Sequence, residues 1–201
     1  MKERPILFSG EMVRAILDGR KKQTRRVIKP QPSMEQSCEP EGYSWIPAWK
    51  GRELSPTQCP YGQPGDRLWV RETWFSPEKG IAAYKAYGEK KPNPPGQIGF
   101  YYPGPIKWKP SIHMPRWASR ITLEVVNVRV ERLQDITAHD ALAEGIDTRG
   151  LYLGNPDYDH IARHTAIGLF RSLWDSINVS RGFGWDVNPW IWVVEFKKFE
   201  E

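Results

Sequence analysis

Cysteine is scarce: two in 201 residues, Cys38 and Cys59, both in polar surroundings and without metal-ligand spacing. That pair makes no disulfide framework and suits a reducing compartment. Long apolar runs are also missing, since none approaches the ~20 residues needed to span a bilayer. The opening stretch MKERPILFSG has neither an apolar h-region nor a small-residue cleavage site, so a cytoplasmic protein with no membrane partner is expected. There is no internal repeat and no low-complexity tract. Turn formers and rings are abundant instead. Eighteen prolines and 17 glycines point away from an all-helical chain, and ten Trp, eight Tyr and seven Phe supply apolar area for a core. The length suits one domain, residues 1–201, with long insertions.

Charge is unevenly placed. Residues 1–30 hold nine Lys/Arg against three acids, a net +6, so the remaining residues come to −1 of the total +5. The excess peaks in GRKKQTRR (19–26). A local positive field favours phosphate or a polyanion, while a solvated basic turn is the plainer alternative.

Residues 10–18 read as a short helix: Ser9 is placed to cap it, Met12, Val13, Ile16 and Leu17 form its apolar stripe, and Gly19 ends it. The cations that follow meet the negative end of that helix, a structural reason for Arg20 and Lys21. Residues 31–60, rich in Pro, Ser, Glu and Gly, read as a loop or insertion. The turn PYGQPGD (60–66) feeds a strand over 67–74. Eight prolines in 76–115 exclude regular structure through most of a second insertion, whose aromatic residues are expected to pack it onto the body. In 120–133, Ile121, Leu123 and Val125 alternate, and Val126, Val128 and Val130 continue on the other parity. That slip is the signature of a β-bulge. Thr137-x-x-Asp140 reads as a capping box opening a helix closed by Gly145, residues 161–177 as an amphipathic helix, and 189–199 as a closing strand. The set predicts an α+β fold: a small, partly open β-barrel with short helices against it and long Pro-rich insertions.

Three features in this order resemble the ASCH domains of the PUA-like superfamily. They are the helix running into G-R-K-x-x-T-x-R (Gly19, Arg20, Lys21, Thr24, Arg26), the Pro64-Gly65-Asp66 turn before a strand, and the bulged strand leading to a capped helix that carries Glu144. The Trp-rich elaborations, including WKPSIHMPRWASR, are similar to those of prophage-encoded bacterial members. The resemblance implies a PUA-like barrel that binds RNA or a modified nucleoside. One branch of the family hydrolyses the acetyl amide of N4-acetylcytidine without a cofactor, and its roles fall here on Lys21 as proton acceptor, Thr24 as nucleophile and Glu144 as proton donor. Lys22, where that branch has a smaller polar residue, and the two large insertions depart from its pattern.

A Thr hydroxyl needs a neighbour to take its proton, and Lys does so only when neutral. The neighbouring cations Arg20, Lys22 and Arg25 are expected to lower the Lys21 pKa. On a regular strand Lys21 and Thr24 would face opposite sides, so an irregular residue must lie between them. Nucleic-acid contacts are expected from Arg20, Lys22, Arg25 and Arg26. A second group, Arg116 and Trp117, reads either as a base-stacking and phosphate-gripping patch or as an ordinary surface arginine beside a core ring. His160 and His164, following Asp157 and Asp159, have a metal-like spacing, but a polar loop running into a helix accounts for them, and no metal is expected.

Overall fold

The computed structural model describes residues 1–39, 42–49, 52–76, 82–87, 107–148 and 159–199. Its centre is a five-stranded sheet in the order β1-β6-β9-β10-β2. The strands are β1 (Glu3–Leu7), β2 (Gln23–Val27), β6 (Arg67–Arg71), β9 (Thr122–Arg132) and β10 (Trp190–Lys198). β1 runs parallel to β6 and the other neighbours are antiparallel. Among the described residues the sheet does not close into a barrel. Arg26 on edge strand β2 nevertheless donates to the Leu7 carbonyl at the end of edge strand β1, 2.7 Å away, so the sheet curls until one side chain spans the gap.

The helices are α1 (Gly10–Leu17), α2 (Ala138–Ala143) and α3 (Asp159–Asn178). β10 explains why they lie on both sides of the sheet. Trp192, Val194 and Phe196 join one buried cluster, with Val13 and Ile16 of α1, while Ile191 and Val193 join another, with Ala141 of α2 and Phe170 and Trp174 of α3. A strand buried on both faces reads as a continuous apolar run, as WIWVVEF does.

The β9 bulge is present. Glu195 of β10 pairs with Asn127 and Phe196 with Val125, so Val126 has no partner on β10. Val125 and Val128 are buried, whereas Val126 is 49% exposed. The extra residue therefore faces solvent and does not continue the apolar face. Thr137 and Asp140 form the expected reciprocal capping box. Ser9 accepts from the Met12 amide at 3.4 Å at the start of α1.

Two expectations are corrected, and one strand had no counterpart in the sequence reading. The basic stretch is not a turn throughout, because Gln23–Val27 is an edge strand paired with β10. Glu3–Leu7 is also a strand, with Pro5 tolerated because a sheet edge leaves room for a missing donor. Residues 31–60 are not one loop: β3 (Ser33–Glu39), β4 (Gly42–Trp49) and β5 (Arg52–Glu53) form a separate three-stranded sheet. The 76–115 insertion lies largely outside the described residues. Its described parts include β8 (Ala83–Tyr84), which pairs with β7 (Trp74–Phe75), and Tyr84, whose hydroxyl donates to the Ala118 carbonyl.

Asp66 explains the Pro-Gly-Asp turn. Its carboxylate accepts from the Lys2 amide, from Arg4 and from the Gln63 amide, fastening β1 to β6. The Arg4 hydrogen bond, with the two amides, holds its pKa down at about 2 against a small opposing effect of burial.

Candidate functional site

The end of α1 delivers Lys21. Gly19 takes φ +72°, and the next two amides, Arg20 and Lys21, both donate to the Ala15 carbonyl at 2.9 Å. The end of α2 delivers Glu144, which caps that helix ahead of Gly145. The two ends meet main chain to main chain: Lys21 and Glu144 form an isolated antiparallel bridge, and the Lys22 amide donates to Ala143. Glycine at 145 is required by this approach. Its φ is +93°, and a Cβ there would lie 2.9 Å from Ala15 Cβ and 3.0 Å from Lys21 Cβ.

The side chains meet as closely. Lys21 Nζ donates to Glu144 Oε2 at 2.7 Å and to the Glu144 carbonyl at 2.8 Å, and the two side chains are 1% and 5% exposed. Glu144 Oε1 accepts from Arg25 at 3.3 Å. Arg25, itself wholly buried, also reaches Glu131 and Asp140. Asp140 adds contacts to Gln23 and Arg129, and Arg129 is paired with Glu131 and Glu195. Burial would raise the Asp140 pKa, but hydrogen bonds from Thr137 and Gln23 and the charge of Arg25 bring it to about 2. Arg25 thus joins the buried pair to a half-exposed charge network.

The Lys21 pKa lies below its ordinary value, chiefly because burial disfavours the ammonium. Glu144 opposes this, while Arg26 and Arg25 reinforce it. Arg20 and Lys22 are not the neighbours responsible. Arg20 turns to the Gly145 carbonyl and Asp18, and the Lys22 side chain is exposed.

A cleft of about 310 Å³ opens along the free edge of β2, between it and α3. Thr24, Arg25 and Arg26 line it, as does Glu144. Among the described residues nothing hydrogen-bonds the Thr24 hydroxyl. Arg25 overlies Phe170, while Arg26 overlies Phe8 and Tyr61. Lys21 also overlies Phe8, at 5.6 Å, the ring that Arg26 overlies.

The structure thus brings Lys21, Thr24, Glu144, Arg25 and Arg26 to one edge. Arg116 and Trp117 are not among the residues lining that cleft. Arg116 is paired with Glu3 at the start of β1, and Trp117, 44% exposed, packs edge-on against Trp74. His164 is exposed on α3, Asp157 and the side chains of Asp159 and His160 lie outside the described residues, and no metal-holding cluster occurs among the residues described. Sequence reasoning passed over Lys29, Tyr61, Phe170, Arg181 and Phe183, all of which line the cleft. Only Lys29, three residues beyond the basic run, carried a signal. The others come from distant segments.

The chain matches no protein-family profile, no curated protein and no solved structure.

Proposed function

We propose that this chain is an ASCH-type, PUA-like protein whose cleft takes an N4-acylated cytidine, free or within RNA, and hydrolyses its amide. One observation carries this reading: Glu144, of a buried lysine–carboxylate pair, lines one cleft with Thr24, whose hydroxyl no described residue engages. Thr24 Oγ attacks the acyl carbon and gives its proton to Lys21. For that, Lys21 must be neutral. Burial favours this, and the 2.7 Å hydrogen bond is the route by which a proton taken from Thr24 passes from Lys21 to Glu144. Collapse of the tetrahedral adduct breaks the C–N4 bond, and Glu144 protonates the departing amine. Water then cleaves the acyl-threonine ester, releasing the carboxylic acid and restoring the hydroxyl.

The test is release of cytidine and acetate from N4-acetylcytidine. Lys21→Ala and Thr24→Ala each abolish turnover in folded protein, and Glu144→Gln slows it by about 10²–10⁴-fold. Binding of the nucleoside with no cleavage by the wild type overturns the catalytic roles.

One observation favours a second reading, recognition without hydrolysis. Lys21 Nζ makes two hydrogen bonds to Glu144 and Lys21 does not itself line the cleft. In that case the pair fixes the floor of a binding pocket, and Lys21→Ala weakens binding through loss of structure.

A further inference from the structure

Three cations around the cleft are left over once its ion pairs are counted. Glu144 is the acid in the lining, and Lys21 and Arg25 already engage it. Among the described residues the Arg26 side chain makes one hydrogen bond, to the Leu7 carbonyl, and its buried Nε has no hydrogen-bond partner. Lys29 lies over the Phe183 ring at 4.9 Å. Arg181 is two residues before Phe183, on the short 3₁₀ turn that follows α3. Among the described residues neither Lys29 nor Arg181 has an acidic partner. The end of α3 would favour one cation through its dipole, which accounts for Arg181. It does not account for Lys29 and Arg26 lining the same cleft from β2 and its following loop. Arg26 and Arg181 are close enough to interact: burial is the main cause that pushes the Arg26 pKa below its ordinary value, Tyr61 and Glu144 oppose it, and Arg181 adds to it. Glu144 acts on Arg26 but is already shared by Lys21 and Arg25, so cations outnumber the acid in this cleft and an anion placed there is favoured.

We infer that Arg26, Lys29 and Arg181 form a phosphate seat beside the Thr24 pocket, so the ligand is a nucleotide and not a bare nucleoside. Guanidinium groups match phosphate oxygens with paired donors, and a lysine adds a mobile point charge. Tyr61 and Phe183 line the same cleft and offer ring faces next to the seat. The inference rests on the cytidine reading for the base but not for the phosphate. The same chemistry fits a terminal monoester of a free nucleotide or a diester within RNA.

The experiment is calorimetric titration of the full chain at low salt with cytidine, cytidine 5′-monophosphate, the dinucleotide CpU and inorganic phosphate. The monophosphate is expected to bind at least about tenfold tighter than cytidine, the gain typical of charge-assisted contacts. In Lys29→Ala/Arg181→Ala, whose fold is checked by circular dichroism, the ratio of the two affinities falls toward one. A monophosphate stronger than CpU identifies a terminal phosphate, and CpU equal or stronger identifies the RNA backbone. Equal binding of cytidine and its monophosphate by the wild type overturns the seat, as does a ratio that the double substitution leaves unchanged. If no cytidine compound binds, the base assignment fails. Inorganic phosphate then decides the seat alone: binding lost in the double variant supports it, and no binding overturns it.

Discussion

Replacing Glu144 by leucine strands the Lys21 ammonium in the interior, and the structure sets how much that costs. Arg25 is not stranded, because it keeps Glu131 at 3.4 Å and Asp140 at 3.3 Å. Lys21 retains one acceptor, the main-chain carbonyl of residue 144 at 2.8 Å, which any side chain leaves in place. Breaking a buried pair by removing one member costs roughly 3–5 kcal/mol. The remaining acceptor puts Glu144→Leu at the low end, about 3 kcal/mol. For a chain of this size that is a fall in Tm of about 6–12 °C. Adding Lys21→Met to Glu144→Leu removes the orphaned charge and should recover at least about 2 kcal/mol, so the double-mutant cycle is strongly non-additive. The pH dependence has a definite sign. Burial holds the Lys21 pKa below its unfolded value, so the unfolded chain binds more protons in the window between the two, and stability rises with pH there. Removing Glu144, which opposes this shift, should widen the window. The assay is urea denaturation of the wild type, both single variants and the double variant across that range. Additive losses, or a Glu144→Leu cost below about 1 kcal/mol, would refute the argument that the pair is a coupled buried unit.

Gly145→Ala should destabilise by about 2 kcal/mol, combining left-handed strain with the clash against Ala15 and Lys21, and should lower activity more than a distant surface change of equal cost; thermal melts with turnover measurements check both. Deleting Val126, which has no partner on β10, should keep both halves of β9 in register and destabilise only through loss of the bend that the bulge gives the strand, while Val126→Thr, at a half-exposed position, should stay within about 0.5 kcal/mol of wild type. Asp66 has its pKa depressed to about 2, so its contribution is complete above the ordinary carboxylate value and is lost as pH falls from about 4 to about 2; Asp66→Asn should remove that part of the acid-stability curve.

How far the sequence alone reached depends on where each signal is stored. α1, the β9 bulge, the α2 capping box, α3 and β10 were legible because periodicity, caps and turn glycines are local, and their neighbours along the chain report them. β2 was not, because its residues are polar and charged. They are buried only by partners far away in sequence: Arg25 by Glu131, Asp140, Glu144 and Phe170, and Arg26 by Leu7 and Phe8. β1, with its proline, and the β3–β5 sheet likewise lacked a local apolar pattern. For the site, residue types in GRKKQTRR and the family resemblance singled out Lys21, Thr24 and Glu144. Only the tertiary structure decided that Lys21 and Glu144 are in contact, because that requires the ends of two helices 123 residues apart to meet across a glycine. It also decided that Lys22 faces solvent, that Arg116 is tied to Glu3, and that Lys29 and Arg181 share the cleft. Charge composition along a chain records how many cations there are. Which of them remain unpaired is settled by the acids that folding brings within reach.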